Sequence, residues 1–326
     1  MRNIYVVGGR QRRRLLTREE EWQMYEKALV VEFDTQTKQS NVRLEYESPP
    51  DARADDSSIL FKTGTLEGNH LYLCTSTEVL VHEVPGFNLK GYVSLPCFND
   101  LHHVCPRLNG DLLVVNTGLD MVLEITWQGT VLREWAVLGG DPWGRFSKQT
   151  DYRKVATTKP HQSHPNFVFE LGEEIWVTRG WQRDAVCLTN PGPRIAIDVE
   201  RVHDGHFFGG KIYFTTVNGN LVIVDRSSLE VQRIVDLKAI DNRDRALLGW
   251  CRGLFIVDES TVWVGFTRVR KTRFQENVNW VKHVFHETEK PTHISLYDIS
   301  EMKCLQEIDL EPSGLNVVFS IFPAGV

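Results

Sequence analysis

Short apolar runs separated by tight Gly/Asn/Asp turns recur along this chain, and that recurrence limits what it can fold into more than any other feature. One copy begins His103-Val104-Cys105-Pro106-Arg107-Leu108 and turns at Asn109-Gly110-Asp111. It continues as Leu112-Leu113-Val114-Val115 and Met121-Val122-Leu123-Glu124-Ile125, and the turn Gln128-Gly129 leads into a fourth run at 131–135. Another reads His206-Phe207-Phe208, Gly209-Gly210-Lys211, Ile212-Tyr213-Phe214, Asn218-Gly219-Asn220 and Leu221-Val222-Ile223-Val224, closing with residues 230–235. β-branched and aromatic runs bounded by turn residues are strands, and four strands in about 40 residues make one propeller blade.

Five such units fall near 55–96, 98–140, 160–200, 202–240 and 248–312, the last with an insertion at 272–291. The N-terminus holds strands at 4–8, 28–33 and 42–46 but no innermost one, and 317–322 supplies it. The expectation is an all-β, six-bladed β-propeller forming a single domain, 1–326, closed by strands from both termini. Closure removes the open sheet edges on which other chains could pair. Helix is expected only at 19–27, where Thr17 and Glu20 have capping-box spacing. The aromatic-rich stretch 140–160 lacks a strand pattern and is a candidate cover for the propeller mouth.

Aligned by their second turns, the blades show a column of polar residues. His102, His164 and His203 each stand 16 residues before a turn glycine, at Gly118, Gly180 and Gly219. Matching Val262-Trp263-Val264 to Ile175-Trp176-Val177 puts Cys251 in the column, the closing blade contributes Asn316, and the second blade Ser57 or Ser58. Innermost strands line the channel, so the column forms a ring at one end of the axis. Imidazole and thiolate are metal-ligand types. His102, His164, His203 and Cys251 are therefore candidate ligands for a divalent metal, Fe(II) first, with Zn or Cu as alternatives. Asp100 and Asp204 could orient the rings.

His161, in the entry loop, is a candidate acid–base group. His103 and Arg252 flank the column as further candidate catalytic residues, while strand alternation turns His206 to another surface. His283, His286 and His293 do not continue the column and read as surface residues. Arg179, Arg252 and Arg268, with Arg270 and Arg273, would form a basic rim for a carboxylate, sulfate or phosphate, and Asn316 would add a polar contact. The competing reading is that these arginines pair with Asp184, Glu276 and similar neighbours.

A net charge of −6 and a pI near 6.0 give no electrostatic footprint for nucleic acid. The basic run Arg10-Gln11-Arg12-Arg13-Arg14 is soon followed by Glu19, Glu20 and Glu21 and reads as a solvated segment. No apolar stretch approaches the roughly 18 residues of a membrane span, and no secretory leader is apparent. Six scattered cysteines without a CxxC pair suit a reduced, cytoplasmic setting. Nucleophile-elbow, P-loop and dinucleotide motifs are absent.

Asp100-Leu101-His102-His103-Val104, followed by Leu108-Asn109-Gly110-Asp111-Leu112-Leu113-Val114 and Val122-Leu123-Glu124-Ile125, resembles a blade of the arylsulfotransferase-type propellers. That resemblance spans about one blade, near 98–135, and implies six blades. It also implies sulfuryl transfer through a histidine, with arginines and histidines around the central channel. Pro160-His161-Gln162-Ser163-His164-Pro165-Asn166-Phe167 and Gly249-Trp250-Cys251-Arg252-Gly253-Leu254 look instead like uncharacterised bacterial propellers. Three functions stay open. One is a metal-dependent enzyme acting on a small anionic molecule. Another is a metal-independent, histidine-dependent group transfer or lyase reaction. The third is a binding scaffold whose faces or 272–291 insertion engage a protein partner.

Overall fold

The computed structural model describes residues 2–12, 24–241, 248–269 and 290–325. Among these residues, twenty-four strands form six four-stranded antiparallel sheets, one per blade. Blade 1 is β24 (Val317–Pro323), β1 (Asn3–Gln11), β2 (Tyr25–Asp34) and β3 (Ser40–Tyr46) in that order, so the last strand of the chain is the innermost strand of the first blade. Blade 2 runs β4 (Thr65–Glu67), β5 (His70–Cys74), β6 (Val79–Glu83) and β7 (Asn88–Val93). Blade 3 is β8 (Leu101–Pro106), β9 (Leu112–Asn116), β10 (Met121–Ile125) and β11 (Val131–Ala136). Blade 4 is β12 (Pro165–Leu171), β13 (Glu174–Arg179), β14 (Asp184–Cys187) and β15 (Arg194–Ala196). Blade 5 is β16 (Val202–Phe208), β17 (Lys211–Thr216), β18 (Asn220–Asp225) and β19 (Val231–Asp236). Blade 6 is β20 (Trp250–Ile256), β21 (Thr261–Thr267), β22 (His293–Asp298) and β23 (Lys303–Asp309).

The strand composition follows from this packing. The second strand of blade 3, β9, Leu-Leu-Val-Val-Asn, is buried at every residue because both faces of a blade meet its neighbours. Outermost strands have a neighbour on one edge only, and β7 buries just Val93 fully. Apolar clusters accordingly bridge adjacent blades, as where Tyr213 and Leu221 of blade 5 join Leu254 and Phe266 of blade 6.

Four inner strands share an irregularity. The register slips between Leu101 and His103 in β8, Pro165 and Val168 in β12, Val202 and Gly205 in β16, and Cys251 and Leu254 in β20. A bulge adds a residue to one strand and re-aims its side chains. The skipped residues include His102, His203 and Arg252. Where β12 and β16 lose a ladder bond, a threonine of the next strand replaces it. Thr178 Oγ1 accepts the Phe167 N–H at 3.0 Å and Thr215 Oγ1 accepts that of Asp204 at 3.2 Å.

Two local expectations are corrected. Residues 25–27, read as the end of a helix, open β2, whose alternation continues the core pattern to Phe33; Thr17 and 19–23 lie outside the described residues. His293 is fully buried in β22, stacked on Phe266 with ring centroids 5.1 Å apart, because its ring completes the core between strands. His283, His286, Arg270 and Arg273, and all but the end of the 272–291 insertion, lie outside the described residues.

Candidate functional site

Three imidazoles meet at the end of the channel where the inner strands begin. His102 is a bulge residue of β8, His203 a bulge residue of β16, and His164 directly precedes β12 with a left-handed φ of 55°. Ring centroids are 5.0 Å apart for His102 and His164, and 6.0 Å for His102 and His203. Non-glycine residues held at positive φ are costly and need support from around them. His164 has that support in Asp120. Its Oδ1 accepts the N–H groups of Ser163 and His164, both at 2.9 Å, and its Oδ2 that of Gln162 at 2.7 Å, while Arg145 pairs with the same carboxylate.

Hydrogen-bond partners assign the tautomers. His203 Nδ1 lies 3.0 Å from Asp204 Oδ1 and His102 Nδ1 2.8 Å from the Asp100 carbonyl; both partners are acceptors, so both Nδ1 atoms carry hydrogen. His164 Nδ1 is 2.8 Å from His161 Nδ1, and His161 Nε2 reaches Thr158 Oγ1 at 3.4 Å. The Thr158 hydroxyl hydrogen goes to the Gly118 carbonyl or Asn99 Oδ1, so Thr158 accepts from His161 Nε2–H. His161 Nδ1 then accepts from His164 Nδ1–H. All three imidazoles of the trio therefore carry their lone pair on Nε2, and that of His203 is buried without a partner.

Electrostatics keep these rings neutral. Burial pushes the proton affinities of His102 and His164 well below the ordinary histidine value; the Lys62 ammonium adds to the effect at His102, and His161 at His164. Burial also lowers His203 and His161, against the pull of Asp204 on the former and of Asp100 on the latter. Burial opposes charge on Asp100, yet the Lys62 ammonium, hydrogen-bonded to its Oδ1, holds its carboxyl well below the usual range. Asp204 behaves alike, with its charge favoured by His203.

The channel is filled beyond the histidines. Asp204 of blade 5 reaches across the axis to Thr63 of blade 2, whose hydroxyl donates to Oδ1 at 2.7 Å, and its Oδ2 accepts the Gly253 N–H of blade 6. Gly253, at φ 81°, takes a conformation that a side chain would strain. Ser320 Oγ of blade 1 accepts the Gly64 N–H at 3.1 Å, and Thr63 bridges to His103. The imidazoles thus stand at the end of a channel whose interior is tied across by these bonds.

The other candidates are distributed as follows. His103 is engaged at both nitrogens. Thr65 gives its hydroxyl hydrogen to the Val104 carbonyl and accepts from His103 Nε2 at 3.1 Å, and Nδ1 accepts the Val168 N–H at 3.2 Å. It straps blades 2, 3 and 4 together. Cys251 packs in the apolar cluster with Tyr213, Leu221 and Phe266 instead of joining the trio, and burial drives its thiol well up. Arg179 makes a two-pronged pair with Asp184 at 2.8 and 2.6 Å, Arg268 pairs with Glu311 at 2.7 Å, and Asn316 Oδ1 accepts the Gln11 N–H at 2.9 Å. Arg252 stands beside His203, its guanidinium carbon 4.7 Å from the centre of the Phe319 ring. Of the serines proposed for blade 2, Ser58 Oγ accepts the Tyr25 N–H at 3.2 Å and the Ser57 carbonyl accepts from Arg12. Blade 2 instead contributes Lys62, 5% exposed, which the column alignment misses.

The 140–160 segment runs over the same end of the molecule. Tyr152 N–H donates to the Pro96 carbonyl at 2.7 Å and Lys154 reaches the Pro50 carbonyl at 2.6 Å, and the chain then passes Thr158 into the pocket wall. A surface groove lined by Leu132, Glu134, Trp143 and Lys148 lies on the outer edge of blade 3 and shares no residue with the pocket. Among the described residues, no three His, Cys, Asp or Glu side chains stand in an arrangement that holds a metal ion. No helix there is long and apolar enough to cross a membrane, and all six cysteines are free thiols.

No family model matches the chain, and no curated protein matches it. Among the many solved structures that resemble it, two match over nearly the whole chain. A protein of unknown function from Bacteroides caccae superposes with a TM-score of 0.60 at 11% identity over 100% of both chains. The nidogen/laminin complex does so with a TM-score of 0.56 at 8% identity, covering 98% of this chain and 97% of that one. At these identities the likeness is one of fold alone, and it is with propellers.

Proposed function

We propose that this propeller is an enzyme for a small molecule, with a divalent metal held by His102, His164 and His203 at the closed end of its channel. One observation supports the reading above the rest. Three neutral imidazoles from consecutive blades each have Nδ1–H engaged by an acceptor, which leaves the Nε2 lone pairs free. A carboxylate, a carbonyl or another ring on the far nitrogen is how proteins orient and strengthen metal-ligating histidines. The Nε2 of His203 is buried without a partner. The rings as described are not closed to ligating distance, so binding requires side-chain adjustment of the trio.

Three imidazole ligands leave coordination positions for water or substrate, and the three suit Fe(II), Zn or Cu. When bound, the ion would act as a Lewis acid or activate a water. His161, behind His164, would accept from that ring's Nδ1–H and hold its orientation, with its own Nε2–H bonded to Thr158. His102 and His203 stay fixed through Asp100 and Asp204.

Metal analysis of purified protein, reloaded with Fe(II), Zn or Cu after chelation, tests this. About one ion per chain is expected, falling to trace levels in His203→Ala. A protein that takes up no ion, but loses a measurable turnover on His161→Asn, would instead identify metal-independent histidine chemistry.

A further inference from the structure

Counting the inner strands by their bulges selects a different residue of blade 4 than counting back from the turns. The last ladder pair before each slip is Leu101↔Asn116, Pro165↔Arg179, Val202↔Thr216 and Cys251↔Phe266. The next residue along is His102, Asn166, His203 and Arg252 in turn. Asn166 therefore holds in blade 4 the slot from which His102 and His203 reach the trio. His164 comes in from just outside β12, ahead of that slot.

Asn166 is 2% exposed, and both of its amide hydrogens are engaged. Nδ2 donates to the His164 carbonyl at 3.2 Å and to the Val202 carbonyl at 2.8 Å. Val202 is joined directly to His203, so one side chain ties the backbone at two of the three imidazoles across the boundary between blades 4 and 5. Two carbonyls on one nitrogen fix the amide's orientation, since the flipped amide would set oxygen against oxygen. Oδ1 is left buried without a partner, so the amide is held in place by its donors. Gly180 leaves room for the arrangement. Its own N–H donates to the same His164 carbonyl at 3.2 Å. A Cβ there would stand 2.9 Å from that carbonyl oxygen and 3.3 Å from Asn166 Nδ2.

We infer that Asn166 is a positioning residue of the trio. Its two hydrogen bonds set the separation and relative orientation of His164 and His203, and with them the affinity and geometry with which the rings take an ion. The inference rests on the metal reading proposed above. It requires the amide's donors, which an ionised carboxylate of the same shape lacks and a hydroxyl supplies in part.

The test is a Co(II) titration of the full-length protein, read from the visible d–d bands of the bound ion. Competition with Zn gives the affinity, and thermal melting is followed in parallel. Asn166→Ala is expected to weaken Co(II) about tenfold or more and to shift the bands. Asn166→Asp should behave like Asn166→Ala, and Asn166→Ser should recover part of the loss. Gly180→Ala, which keeps Asn166 but crowds the same carbonyl, should weaken binding in the same direction. A wild-type protein that binds no Co(II) would overturn the metal reading and this inference together. Wild-type binding with affinity and bands unchanged in Asn166→Ala, whatever the melting temperature does, would overturn the positioning role alone.

Discussion

The chemistry of the pocket depends on where single protons sit. Asp204 fixes the His203 tautomer by accepting from Nδ1 at 3.0 Å, while two further donors hold its own oxygens in place. An amide at that position can present its NH₂ to Nδ1 and reverse the tautomer. Asp204→Asn is therefore expected to weaken metal binding about 10- to 100-fold, measured by calorimetric titration, whereas a purely structural Asp204 would alter stability and leave affinity intact. Neutral buried histidines also set the pH response. Burial brings His103 and His206 down to about 4, below the roughly 6.5 of an unfolded chain. Between those values the unfolded chain binds the extra protons, so the stabilisation is present above pH about 6.5 and is lost as pH falls through the window. Each such residue contributes up to about 1.4 kcal/mol per pH unit. His206 packs on Phe255 away from the pocket, with centroids 6.0 Å apart. Urea denaturation from pH 7 to 5 should show declining stability, with a shallower slope in His206→Phe; an unchanged slope would rule this origin out.

At the level of strands and loops, the site is assembled by bulges and by one carboxylate. Asp120, itself at φ 52°, accepts three consecutive N–H groups and so determines where both His161 and His164 stand. Asp120→Ala removes a charged acceptor from buried donors and is expected to cost about 2–3 kcal/mol by chemical denaturation and to lower metal uptake. If stability falls while uptake holds, the loop has another support. The column of His102, His164 and His203 was legible in the sequence because repetition makes equivalent positions countable. The blades fell near their observed bounds for the same reason. Lys62 was missed because the register of blade 2 drifts ahead of its short inner strand, and counting from the turn landed on residues that bond to β2 and Arg12. Cys251 occupies the column by count, but the β20 bulge follows it and turns Arg252, not the thiol, to the axis. A strict two-residue alternation cannot see a bulge. Asp120 gave no signal either, since a carboxylate in a turn is ordinary until its loop is placed.

Across the whole molecule, closure does the work of a core. β24 pairs with β1 from Ile4↔Pro323 to Gly9↔Val317, joining the two ends of the chain in one blade and completing the ring. A chain ending before Val317 would leave the edge of β1 open and remove the apolar contacts of Val318 and Ile321. It is expected to lose its cooperative thermal transition and to aggregate, as judged by circular dichroism and size-exclusion chromatography; a sharp transition in a monomer would show that the ring holds without its closing strand. The same closure brings blades 2 to 6 to one axis, and the convergence of His102, His164 and His203 depends on it. X-ray absorption on protein loaded with one equivalent of Zn or Fe(II) reads that convergence directly. Three imidazole nitrogens at about 2.0–2.2 Å from the ion are expected, reduced to two in His164→Ala. An ion with no imidazole scattering, or with a shell unchanged in that variant, would contradict the assignment.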